Sequence, residues 1–127
     1  MVDDHEGDIQ IARLCFAKSR LSNPWLSFTD SLDALSYLRI AAHDPQKVPG
    51  LLLVEMHMGM MDGFTFLERA SAIHGGTLPC PAVLLTHPGR PVNSDAATEA
   101  GATLVFERPR SVRAYVAFFD EFETVSP

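Results

Sequence analysis

Four places along the chain carry side chains able to serve one phosphoryl group or one divalent cation: Asp3-Asp4, Glu55, Thr86 and Arg108. Three carboxylates, a hydroxyl and a guanidinium make up the donor set needed to hold a hard metal ion and a phosphoryl oxygen together. Asp3, Asp4 and Glu55 are the expected ligands for Mg²⁺. His57 and His87 stand two and one residues beyond Glu55 and Thr86, where imidazole would turn the preference toward a transition metal. The weighed expectation is instead that both histidines face solvent from loops. His5, His43 and His74 have no convergent partner in the sequence. Cys15 and Cys80 lack CxxC or His/Cys ligand spacing, so they read as reduced thiols of a cytosolic protein.

These residues become a site only if the elements carrying them end on a common rim. Leu51-Leu52-Leu53-Val54 and Ala82-Val83-Leu84-Leu85 are apolar on consecutive positions, the pattern of strands buried on both faces of a parallel sheet. Thr103 to Phe106 reads as a further strand, and Trp25 to Phe28 as a short one. Between them lie helical patterns. One runs from Asp8, as a cap, to Lys18 and buries Ile9, Ile11, Ala12, Cys15 and Phe16. A second, capped by Thr29 or Asp30, presents Leu32, Leu35, Leu38 and Ile40 and ends near His43. A third opens at Gly63 and closes at Gly75-Gly76, a fourth spans Asn93 to Ala100 with Gly101 as cap, and a terminal one starts at Ser111. Alternating strands and helices predict an α/β fold, a parallel sheet with right-handed crossovers. Its functional crevice lies at the carboxyl ends of the strands, which is where Glu55, Thr86 and Arg108 fall.

At 127 residues the chain suits one domain, residues 1–127, with a core that needs no disulfide or metal. The net charge of −6, from 10 basic and 16 acidic residues with no basic stripe, argues against nucleic-acid binding. No apolar run approaches the ~20 residues that span a bilayer, and no basic-then-apolar leader opens the sequence, so a cytoplasmic protein with no membrane partner is expected. Met56, Met58, Met60 and Met61 are expected to pack beneath the strand ends rather than to greet a partner. Phe118, Phe119 and Phe122 exceed what one buried stripe requires and suggest an interaction surface.

The pattern VDD, LLLVEMHMGMMDGF, VLLTHPG and EAGATLVFERP, spread over nearly the whole chain, resembles the receiver domain of two-component response regulators. The long second helix and the Asn23-Pro24 turn are most similar to stand-alone receivers that partner phytochrome-type histidine kinases. The resemblance implies a flavodoxin-like, doubly wound sheet of five parallel strands, order 2-1-3-4-5, with helices on both faces. It implies an acidic Mg²⁺ pair at Asp3 and Asp4, a switch hydroxyl at Thr86, and a turn at Asp62-Gly63. It implies phosphorelay signalling with a histidine kinase or a downstream protein as partner, and a homodimer through the C-terminal end.

Four positions depart from that pattern. Glu55 stands where the family has its phosphoacceptor aspartate, Arg108 where it has a lysine, Val105 where it has the switch aromatic, and Gly59 where it has a proline. Glutamate adds a methylene, and a displacement of about 1 Å can cost on the order of 100-fold in rate. Arg108 brings a planar fork suited to carboxylates. Glu55 is therefore expected to reach toward Arg108 or Thr86, either imitating the phosphorylated form or offsetting charge in a decayed site.

The first strand is a further anomaly, because only Met1-Val2 precede the acidic pair. An unfilled central slot would leave strand edges unpaired. Upstream residues, residues outside this numbering or a second chain would have to fill it. The leading functional reading is a binding module rather than an enzyme. Its rivals are a Mg²⁺-dependent phosphohydrolase, which lacks a DxD motif here, and a dimeric scaffold that does not switch.

Overall fold

A computed structural model of the chain describes residues 1–122. Three parallel strands form the sheet in the order β1 (Leu52–Glu55), β2 (Ala82–Thr86), β3 (Leu104–Glu107). Leu53 pairs with Val83 and Leu85 with Phe106. Helices α1 (Glu6–Lys18), α2 (Ser31–Ala41), α3 (Gly63–Ile73), α4 (Ser94–Ala100) and α5 (Val112–Asp120) surround it.

Consecutive apolar residues on β1 and β2 feed two cores, as strand alternation requires. Leu52, Val54 and Leu84 pack with Leu35, Leu38, Phe66 and Leu67 on the α2–α3–α4 side. Leu53, Val83 and Leu85 pack with Ile9, Cys15, Tyr115 and Phe119 on the α1–α5 side. Asp30, Asp62, Asn93 and Ser111 cap α2, α3, α4 and α5 by accepting a backbone N–H into the side chain. Gly101 ends α4 at φ +118°, a conformation glycine adopts without strain.

Where five strands are expected, the described residues form three. Val2 sits between Phe28 and Val54 as an isolated parallel bridge to each. Met1 N donates to Leu26 O, Phe28 N to Met1 O and Asp3 N to Phe28 O, and this short ladder is all that joins residues 25–28 to the sheet among the described residues. Several helical details also differ. α1 begins at Glu6 rather than at Asp8, because the His5 N–H turns back onto Asp3 Oδ1 (2.9 Å) and starts the helix earlier. Within α1, Ile11 is 54% exposed and Phe16 half-buried, so the buried stripe is Ile9, Ala12 and Cys15. In α2, Leu32 and Ile40 are exposed. Ser31, Ala34, Leu35, Leu38 and Ala41 face inward, small residues bringing the helix close to its neighbour. Phe118 and Phe119 lie in the core rather than on a surface, Phe119 stacked on Tyr115 and Phe118 edge-on to both. Met56 and Met61 are buried and Met58 packs against the core, whereas Met60 is exposed.

Candidate functional site

Glu55 occupies the last position of β1, and its N–H donates to Val2 O (3.0 Å), which fixes its backbone beside Asp3. Asp3 is held in turn by its own N–H to Phe28 O (3.1 Å). Arg108 follows β3, and its N–H donates to Thr86 O (2.7 Å), so the side chain starts at the end of β2 and crosses the rim. Three separate backbone bonds therefore place three charges at one strand-end crevice, as the sheet geometry anticipates.

The charges meet at one nitrogen. Arg108 Nη2 donates to Glu55 Oε2 at 2.6 Å and to Asp3 Oδ2 at 2.9 Å. Both carboxylates are sealed from solvent, at 1% and 0% exposure, and the Arg108 side chain is 11% exposed. Desolvation alone would push the guanidinium pKa down. The Glu55 hydrogen bond, the nearby Tyr115 oxygen and Asp3 outweigh it, and the net shift is upward. Burial pushes the Tyr115 hydroxyl up to about 12, against the opposing pull of Arg108.

The other Glu55 oxygen is also engaged. His87 Nε2 lies 3.2 Å from Oε1, and the His57 N–H approaches it at 3.5 Å. Neither histidine is the solvent-facing loop residue expected from sequence. His87 is half-buried against Glu55, and His57 Nε2 is enclosed with no hydrogen-bond partner among the described residues. The strand-end rule that selects Thr86 extends to the residue after it, so His87 carried a usable signal. Both Glu55 oxygens are thus engaged, Oε2 by Arg108 and Oε1 by His87.

The remaining expected residues lie nearby in different roles. Asp4 turns away from Arg108: its Oδ2 accepts from Gly59 N–H (2.9 Å) and its Oδ1 lies 3.5 Å from His5 Nδ1. Thr86 is buried at the end of β2, and among the described residues its hydroxyl bonds neither Glu55 nor Arg108. Val105 pairs with Leu84 and packs against the α2–α3–α4 core. The 56–63 loop is closed by Gly63 N–H to Met56 O (2.8 Å). A Cβ at Gly63 would run into Leu84 Cδ1 and lie 3.0 Å from the Met56 backbone, so any larger residue there would crowd the loop. Among the described residues, ligand atoms of Asp3, His5 and Asp8 lie within 4.8 Å of one another. His5 is thus less isolated than expected.

No protein-family model and no curated protein matches the chain. Solved structures do, at low identity. A response regulator receiver domain from Rhodospirillum rubrum superposes with a TM-score of 0.74 at 20% identity, covering 97% of this chain and 88% of that one. The Mn²⁺-bound form of response regulator Rcp1 gives 0.72 at 18% identity, with the same coverage of 97% and 88%. The phosphorylated cyanobacterial phytochrome response regulator RcpA gives 0.71 at 19%, covering 96% and 87%. The chain has the fold of a response-regulator receiver domain, and no described helix is long and apolar enough to cross a membrane.

Proposed function

We propose that this chain is a phosphorylation-independent receiver module of phosphorelay signalling that works by binding a protein partner rather than by catalysis. The observation that carries this reading is the 2.6 Å bond from Arg108 to Glu55, shared with Asp3. A carboxylate at the phosphoacceptor position, extended by one methylene, contacts the cation that in a receiver would meet the phosphoryl group. The partner is a histidine kinase or a downstream signalling protein, met in the cytoplasm. The similar phytochrome response regulator supports a stand-alone receiver of that type.

Mg²⁺ belongs to the same reading. Asp3, Asp4 and Glu55 offer hard oxygens, and a metal there would supply charge to a phosphoryl oxygen. Arg108 already bonds two of the three, so the cation must compete with the guanidinium. A homodimer through the C-terminal end would rest on Leu104 and Val112, which are exposed, and not on Phe118 or Phe119.

The test is incubation with acetyl phosphate and Mg²⁺ followed by intact-mass measurement of wild type and Glu55→Asp. Wild type should remain unmodified, and Glu55→Asp should gain one phosphoryl group if the surrounding rim is competent. A stable adduct at Glu55 in wild type would overturn the proposal, and turnover of phosphate esters would favour an enzyme.

A further inference from the structure

The first turn of α1 holds a carboxylate that neither the helix nor the Arg108 bridge accounts for. His5 is the N-cap of α1 and Asp8 its third residue, the place from which an acid ordinarily reaches back to the N-cap N–H. Asp3 Oδ1 takes that N–H instead, at 2.9 Å. Asp8 is left half-buried, and among the described residues its side chain accepts no hydrogen bond and meets no cation. The helix dipole favours an acid in this turn, but it does not explain the company Asp8 keeps. Ligand atoms of Asp3, His5 and Asp8 gather within 4.8 Å of one another. Arg108 engages only Oδ2 of Asp3, and Oδ1, which accepts from His5, keeps a second lone pair.

A separate observation points to the same place. Tyr115 on α5 is 2% exposed, and its hydroxyl has no hydrogen-bond partner among the described residues. Buried hydroxyls are ordinarily satisfied, and one without a partner marks a place where a water or an ion belongs. Besides burial, the groups acting on this hydroxyl are Arg108, Cys15, Asp3 and Asp8, so it borders the cluster that contains the unpaired carboxylate.

Two carboxylates and an imidazole form a mixed oxygen and nitrogen set. That set suits a first-row transition metal such as Zn²⁺ better than Mg²⁺, which keeps to oxygen ligands and water. Zinc bonds such ligands at ~2.0–2.2 Å, so the three must draw together by about an ångström. His5, with 74% of its side chain exposed, has room to close that gap. The set leaves out Asp4 and Glu55 and adds the start of α1, so it differs from the Mg²⁺ ligands proposed above and shares only Asp3 with them. We propose that Asp3, His5 and Asp8 bind a divalent transition-metal ion, with the Tyr115 hydroxyl as an outer hydrogen-bond partner of the ligand set.

The test titrates Zn²⁺ into the 127-residue protein, stripped with chelator and free of any affinity tag, and follows the heat of binding. One Zn²⁺ per chain is expected, retained in an about hundredfold excess of Mg²⁺. Loss of an outer partner costs about 10–100-fold in metal affinity, so Tyr115→Phe should weaken binding about tenfold, and His5→Gln or Asp8→Asn, each losing a ligand, about 100-fold or more. Without metal all three variants should unfold in urea near the wild-type midpoint, because none of the deleted groups has a side-chain hydrogen bond to lose. Zn²⁺ should raise that midpoint for wild type and not for His5→Gln or Asp8→Asn. The proposal is overturned if no saturable binding is found, if equimolar Mg²⁺ displaces the Zn²⁺, or if Tyr115→Phe binds as tightly as wild type. Unchanged affinity in His5→Gln and Asp8→Asn would overturn it too, by placing the ion on the Asp3, Asp4 and Glu55 rim or on scattered histidines.

Discussion

Removing the cation at the rim should unfold the chain more readily than any conservative core change. Arg108→Met keeps an adaptable stem of similar reach but withdraws the charge shared by Glu55 and Asp3, leaving two solvent-sealed carboxylates side by side. Breaking a buried pair by deleting one partner costs about 3–5 kcal/mol, and two carboxylates are stranded here. Against a typical stability of roughly 5–15 kcal/mol that is about a fifth of the total or more. In a domain of this size each kcal/mol moves the midpoint by about 3–6 °C, so a fall of ten degrees or more is expected. The assay is urea denaturation of Arg108→Met, Glu55→Gln and the double variant. The double should be less destabilised than the sum, by at least about 1.5 kcal/mol, because the neutral amide no longer needs the cation. A loss under ~1 kcal/mol for Arg108→Met, or costs that add within ~0.5 kcal/mol, would show that the 2.6 Å contact carries little energy.

Two further outcomes follow from other parts of the fold. Gly63→Ala should cost about 1–3 kcal/mol by overpacking, since its Cβ would meet Leu84 and also the Met56 backbone at 3.0 Å; a variant as stable as wild type in the same urea assay would disprove that closeness. The Met1 amine falls from 8.0 to about 5 on folding, so the unfolded chain binds a proton between those values that the folded chain does not. Stability is then full above pH 8 and declines as pH drops toward 5, by at most about 4 kcal/mol and less where water reaches the amine. A chain acetylated at Met1 should lose that slope, and identical pH profiles for the two forms would contradict it.

How much of this was legible in the sequence depends on whether the deciding contact is local. Leu52 to Val54 and Ala82 to Leu85 announced themselves because burial on both faces needs no knowledge of the partner strand. Asp30, Asn93 and Ser111 were readable as helix starts for the same reason: a cap acts within three residues. The 25–28 segment misled, since a strand forms only against another strand and the described residues pair it with the sheet only through the bridge from Phe28 to Val2. In α2 the larger side chains drew attention, yet Ala34 and Ala41 face inward because helix packing rewards close approach, not size. At the rim, Glu55, Asp3 and Arg108 were legible from strand-end positions. Which Arg108 nitrogen would serve both acids, and that His87 would close over Glu55, depended on distances between loops that no local pattern encodes.

The Arg108 bridge has a consequence for time. A signal written as a covalent mark can be erased by hydrolysis, and its lifetime is then tuned by the enzymes that write and remove it. Here the opposing charges belong to one polypeptide, and their bond is part of the fold itself. On the reading proposed above, no eraser can act on that contact. Output would then follow synthesis and turnover of the protein, and the dial would be abundance.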